Sequence, residues 1–168
     1  MLYRFQDISN LSRSDKEEPP SASSSSSDSG LSTGKESRLV LPVSFGPSGK
    51  GRLCDPIQFV LDTGAVYPFV ISRVTLERHG LRDLEIVGKA KAETVHGLVE
   101  LDVVRLDMSI RTQSNDSPIF VETPVVVSES DNIVGRSVLA LYDYTVEAGK
   151  LRVFKPNQEA FSKLKKER

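Results

Sequence analysis

The sequence predicts a mostly β domain with one or two short helices, and three observations carry that prediction. From Arg38 onward, short apolar runs recur and each is closed by Gly, Pro, Asn, Asp or Ser, the punctuation of strands and turns. Only two stretches carry helix start and stop signals. Residues 11–37 pass through Glu17, Glu18, Pro19 and Pro20 into the serine run 23–27, a composition too poor in apolar surface to offset the entropy of ordering it.

Each element follows in order. Leu39, Val40, Leu41, Val43 and Phe45 form a strand-like run that stops at Gly46, Pro47, Ser48 and Gly49. A second run over residues 56–61 meets Asp62, Thr63, Gly64 and Ala65 abruptly, and Tyr67, Phe69, Val70 and Ile71 resume it, so strand, tight turn, strand is expected. Residues 72–80 read as a short helix, with Ser72 able to cap its first free amides and Gly80 able to take the left-handed terminating conformation. Residues 89–93 and 98–110 bracket Thr94, Val95, His96 and Gly97. The second of these runs mostly alternates apolar with polar, which predicts a hairpin with glycine at its tip. Residues 119–127 form another strand, and Ile133, Val134 and Gly135 lead into a short helix over residues 136–143 that offers Val138, Leu139, Leu141 and Tyr142 to the core. Residues 144–147 and 150–154, joined across Ala148 and Gly149, close the domain as a hairpin.

The chain of 168 residues balances 22 Lys and Arg against 23 Asp and Glu, so no global field favours nucleic acid or an anionic membrane. A lone Cys54 can form neither an internal disulfide nor a four-thiolate metal site. The opening residues 1–7 lack an apolar core of signal-peptide length, and nowhere do about 18 apolar residues run uninterrupted. A reducing, intracellular, cytoplasmic setting is the expectation. The domain boundaries expected are a disordered Ser-rich segment over residues 1–37, a folded domain over 38–156 and a basic tail over 157–168. The first segment reads as a linker, with a phosphorylation segment or a docking peptide, in which Leu2, Tyr3 and Phe5 are the apolar residues, as the alternatives.

The sharpest chemical signal is Asp62, Thr63, Gly64 and Ala65. An apolar strand delivers a carboxylate to a turn, Gly64 lets the backbone double back, the Thr63 hydroxyl can hydrogen-bond across the site and Ala65 leaves room. This sequence after an apolar strand resembles the active-site loop of the retroviral-type aspartic proteases, the retropepsins. Residues Thr94, Val95, His96 and Gly97 resemble that family's glycine-tipped flap, and Ile133, Val134, Gly135 and Arg136 resemble its apolar-apolar-Gly-Arg motif before the C-terminal helix. All three occur in the family's order across residues 38–156. The helix over 72–79 is more similar to bacterial, retrotransposon and cellular members than to the compact viral enzymes. The sequence departs from the viral pattern in two places: Val66 and Tyr67 stand where an acidic residue often follows the loop, and Ser137 follows Arg136.

The resemblance implies a closed acid-protease β-barrel, active as a homodimer, and an aspartic-type endopeptidase activity that needs no metal or organic cofactor. Such enzymes use two carboxylates in contact that share one proton, so a chain with one such Asp has to pair, with Asp62 of each subunit meeting at a two-fold axis. Asp28, Ser29 and Gly30 do not supply the second, because no apolar strand precedes them. Asp62, Thr63 and Gly64 are then the catalytic loop. Ala65, Val66, Tyr67, Phe69, Val95, His96, Gly97 and Leu98 are candidates to contact a polypeptide bound as an extended strand, and Ile133, Val134, Gly135 and Arg136 are the structural motif. A non-catalytic peptide-binding or dimerisation module of the same fold is the rival reading. Asp62 as a mere turn residue, Gly97 as an ordinary hairpin glycine and Gly135 as a packing glycine are the plainer alternatives.

His79 and His96 have no metal-ligand spacing and no nucleophile motif beside them; His79 suits a helix C-terminus, and His96 a solvated loop, a substrate contact or a pH-sensitive flap. The tail carries Lys155, Lys163, Lys165, Lys166 and Arg168 with Phe161 and Leu164 on one helical face, so a solvated helix is expected and nucleic-acid contact is not.

Overall fold

The computed structural model describes residues 2–3 and 38–166, so the expectation for residues 4–37 and for the last two residues of the tail lies outside the described residues. Strands dominate: β1 (Leu2–Tyr3), β2 (Val40–Pro47), β3 (Ile57–Asp62), β4 (Phe69–Ser72), β5 (Gly88–Thr94), β6 (Gly97–Ile110), β7 (Ile119–Ser128), β8 (Ile133–Gly135), β9 (Tyr142–Glu147) and β10 (Lys150–Pro156). Three helices interrupt them, α1 (Arg73–Arg78), α2 (Arg136–Leu139) and α3 (Gln158–Lys166).

Six strands pair in a ring, β7 to β4 to β8 to β3 to β2 to β6, with β6 returning to β7. The long β6 makes closure possible. Its inner half pairs with β2 from Leu106 to Ile110, while its outer half leaves the ring and pairs with β5 from Gly97 to Val103. One strand therefore builds both the core and a projecting hairpin. Inside the ring lie Phe45, Phe59, Phe69, Phe120, Ile71, Leu106, Met108 and Ile110, all essentially without solvent contact. Each such side chain contributes about 1.5–3 kcal/mol by leaving water. β4 is buried along its whole length because it has neighbours on both sides, β7 parallel and β8 antiparallel, which is why Phe69, Val70 and Ile71 run without a polar interruption. Phe69, expected as a cleft residue, is instead fully buried and tilted against Phe120.

Where the ladder breaks, a side chain repairs it. The register of β6 on β7 slips between Leu106 and Met108, and Glu122 opposite adopts a left-handed φ of 49°. The buried Asp107 carboxylate there accepts the Glu122 amide at 3.0 Å and the Gly49 amide at 3.2 Å. The two bonds tie the turn at Gly49 and the irregular strand position at Glu122 to the same carboxylate.

The helix expected over residues 72–80 is α1. The Ser72 hydroxyl accepts the Thr75 amide at 3.1 Å, His79 is the C-cap with its ring edge-on to Phe45, and Gly80 takes φ 72°. The second helix is shorter than expected. It stops at Leu139, and Tyr142 already belongs to β9, so the core residues Leu141 and Tyr142 enter from a turn and a strand. The tail is less solvated than its charge suggested. Asn157 caps α3 by accepting the Ala160 amide at 3.0 Å, and Phe161 is buried, stacked on Phe120 and edge-on to Tyr142. At the other end β1 adds to β7 in parallel, with Leu2 opposite Ile119 and Tyr3 opposite Phe120. No helix among the described residues is long and apolar enough to cross a membrane.

Two changes test this architecture. Ala148, at φ 48° beside Gly149 at 72°, occupies a turn position that favours Asn. Ala148→Asn is expected to raise stability by about 0.5–1 kcal/mol, read as a higher urea midpoint at unchanged slope. Phe161→Ala is expected to lower it by about 3–5 kcal/mol, whereas a tail lying free on the surface would leave the midpoint unmoved.

Candidate active site

The site grows from the end of β3. Strand alternation sends Phe59 into the core and turns Val60 and Asp62 the other way, so the last residue of the strand emerges as an exposed carboxylate. The chain then reverses: the Ala65 amide donates to the Asp62 carbonyl at 3.2 Å, closing a four-residue turn. Within it the Gly64 amide donates to Asp62 Oδ1 at 2.9 Å. That bond fixes the rotamer of the carboxylate and occupies one oxygen, and a side chain at position 64 would have its Cβ 3.4 Å from the same oxygen.

β8 lies alongside and pins this loop. It runs parallel to β3, with Val60 opposite Ile133, Leu61 opposite Val134 and Asp62 opposite Gly135. The Gly135 amide donates to the Pro68 carbonyl at 2.8 Å, and a Cβ on Gly135 would stand 2.5 Å from the Tyr67 carbonyl oxygen and 3.3 Å from that of Ala65. Glycine is required here by space, and its absence of a side chain lets the loop after Asp62 close over the strand that follows much later in sequence.

A cleft of about 630 Å3 opens at Asp62. Gln58, Val60 and Leu61 of β3 line it with Ile133 of β8 and Arg38, and Ser130, Asp131 and Asn132 form a further wall, so the lining mixes polar and apolar groups. Asn132 holds that wall in place. Its carbonyl accepts the Val60 amide at 2.9 Å, its Oδ1 accepts the Ser72 amide at 2.8 Å and its Nδ2 donates to the Thr75 hydroxyl at 2.9 Å. The loop before β8 is thereby tied to both β3 and the start of α1.

The expected site residues fall into three groups. Asp62 and Ile133 share the cleft, with Thr63 and Gly64 exposed beside it. Val134 and Gly135 are buried behind the cleft as the pinning strand, while Arg136 is exposed and makes no ion pair among the described residues. Ala65, Val66 and Tyr67 continue the loop, and Val95, His96, Gly97 and Leu98 form the tip of the β5–β6 hairpin; none of the seven lines the cleft. At that tip the Thr94 hydroxyl donates to the Gly97 carbonyl at 2.9 Å and accepts the His96 amide at 3.2 Å, with Gly97 at φ 108°. Val95 is 95% exposed and Leu98 75%, an unusual display of apolar surface.

Arg38, Gln58, Val60, Leu61, Ser130, Asp131 and Asn132 were missed as cleft residues. Gln58, Val60 and Leu61 were recoverable, because residues two and four before a strand-end Asp share its face and the one before it adjoins it. Arg38 and residues 130–132 are brought in by ring closure, which no local pattern encodes.

Among the described residues no three His, Cys, Asp or Glu side chains converge to hold a metal ion. Burial pushes the Cys54 thiol up from its ordinary value, which keeps it protonated and poorly nucleophilic. Beneath the hairpin, Lys89 and Arg73 hold the Asp102 carboxyl below the usual carboxylate range, at 2.5 and 3.5 Å. Compared with models of known families and with curated proteins, the chain matches none.

Gly135→Ala tests the pinning directly. It is expected to lower stability by about 1–3 kcal/mol and to shift the backbone amide resonances of residues 62–67, because the added carbon has to displace the Tyr67 carbonyl.

Proposed function

We propose that this chain is a retropepsin-like aspartic endopeptidase that acts as a homodimer, hydrolysing peptide bonds in polypeptides bound as extended strands. The observation that carries the proposal is the Asp62 carboxylate: exposed at a strand end, fixed through one oxygen by the Gly64 amide and facing an open cleft. The three motifs that resemble the family fall in mutually consistent places, with the Gly135 strand pinned against the Asp62 loop and the glycine-tipped hairpin projecting beyond it.

In the proposed reaction two Asp62 carboxylates, one from each subunit, share a single proton because two like charges in contact resist ionising together. The ionised one takes a proton from water as the water oxygen bonds to the scissile carbonyl carbon. The protonated one gives its proton to the carbonyl oxygen, forming a neutral tetrahedral diol. Collapse of the diol breaks the carbon–nitrogen bond: the leaving nitrogen takes the proton of the carboxyl group that had deprotonated water, a diol hydroxyl gives its proton to the other carboxylate, and the amine and carboxylic acid products depart with one proton again shared by the dyad. Val60 and Ile133 suit an apolar side chain next to the cleaved bond. In this scheme Thr63, exposed beside Asp62, bonds its counterpart across the two-fold axis. No cofactor takes part in this scheme, neither nucleic acid nor a membrane is invoked, and the proposed setting is the reducing cytoplasm, where Cys54 stays a thiol.

Cleavage of a degenerate peptide library between about pH 4 and 7 is the test, with Asp62→Asn as the control. The expected result is cleavage by the wild type that falls at least about a thousandfold in the variant, and that drops steeply on dilution as subunits separate. A folded dimer that binds peptides without cutting them would replace this proposal with the non-catalytic binding module.

A further inference from the structure

Tyr67 joins three parts of the molecule. Its carbonyl crowds Gly135, its half-buried ring packs against the small apolar cluster of Val70, Ala90, Val103 and Val126, and its hydroxyl donates to the Lys91 carbonyl at 3.1 Å. β5 is the outermost strand of the sheet, so that carbonyl lies on an edge where no further strand would satisfy it. The position of the bond along the hairpin is what matters. Lys91 pairs with Glu100; one step toward the core Ala90 is buried opposite Leu101, and one step outward Ala92 faces Val99, beyond which every residue to the tip is exposed.

The geometry points to Tyr67 as a positioning residue that sets the hinge of the β5–β6 hairpin, holding residues 88–91 and 100–103 to the rigid loop after Asp62 and leaving residues 92–99 free to bend over the cleft. The role rests on the proposed function, since it gives the hinge its purpose: Val95 and Leu98, stranded in water at the tip, gain cover only when the hairpin closes on something. The anchor is the same loop that carries the carboxylate. Motion of the tip is therefore referred to Asp62 through five residues of backbone that β8 holds fixed.

Tyr67→Phe in the full chain is the test, because it keeps the ring in its apolar cluster and removes only the hydroxyl. Amide hydrogen exchange is expected to quicken about three- to tenfold in residues 88–91 and 100–103, with exchange in β2 and α3 unchanged. Against a peptide substrate, KM is expected to rise about three- to tenfold with kcat within about twofold. Unchanged exchange at the hairpin base, an equal increase throughout the molecule, or a fall in kcat at constant KM would each overturn the hinge. The exchange measurement needs no catalysis. If the wild type cuts no peptide, the endopeptidase reading fails while the exchange result still decides whether Tyr67 holds the hairpin.

Discussion

The close approach of Gly135 to the Tyr67 and Ala65 carbonyls is the constraint on which the rest depends. Two segments separated by some seventy residues of chain lie in van der Waals contact there, and only a residue without a side chain permits it. From that contact follow the parallel pairing of β3 with β8, the antiparallel pairing of β8 with β4, and so the closing of the ring. The carboxylate owes its position to the same place. Asp62 is the partner of Gly135 in the ladder, so the residue that needs no side chain sits beside the one whose carboxylate the proposed reaction uses.

Support is distributed unevenly between the loop and the hairpin. Around Asp62 the Gly64, Ala65 and Gly135 amides and the Asn132 carbonyl are bonded at short range. The hairpin base packs in the cluster around Ala90 and Val103, with Lys89, Asp102 and Arg73 beside it. Ion pairs so exposed add little to stability, but they join the hairpin base to the start of α1. In the proposed enzyme, a fixed carboxylate and a hairpin that bends over it would together admit an extended chain and then exclude water from it.

Much of this was legible in residue order, for identifiable reasons. Alternation in β6 and the turn residues at Thr94 to Gly97 are local signals, and local hydrogen bonding honours them. Ser72 and Gly80 marked α1 because capping is decided within a single turn. The departures share one cause. Phe69 adjoins the site loop in sequence, yet ring closure places its side chain inside; the helix after Gly135 ends early because β9 takes Tyr142 to pair with Pro156. Phe161 sits among lysines that hide its role, and only the space left between Phe120 and Tyr142 reveals it. Long-range pairing, and the cleft wall at Arg38 and residues 130–132 that it assembles, has no local signature.

A single carboxylate in open water is a poor catalyst whatever its geometry, because solvent competes for the proton and screens the charge that the transition state develops. The fold presents Asp62 in that condition: exposed, fixed and single. What a second copy supplies in the proposed enzyme is thus more than another acid group. It brings a like charge that forces one proton to be shared, and it removes water from around both oxygens, so that hydrogen bonds weak at an exposed site become strong. The features that look incomplete in one chain, an open cleft at Asp62, an exposed Thr63 and an apolar hairpin tip with nothing beneath it, are the surfaces that dimerisation and substrate would cover together. Folding and chemistry are in this way separated in the proposed enzyme: β8 and Gly135 hold the carboxylate in place within one chain, and its reactivity would wait on association.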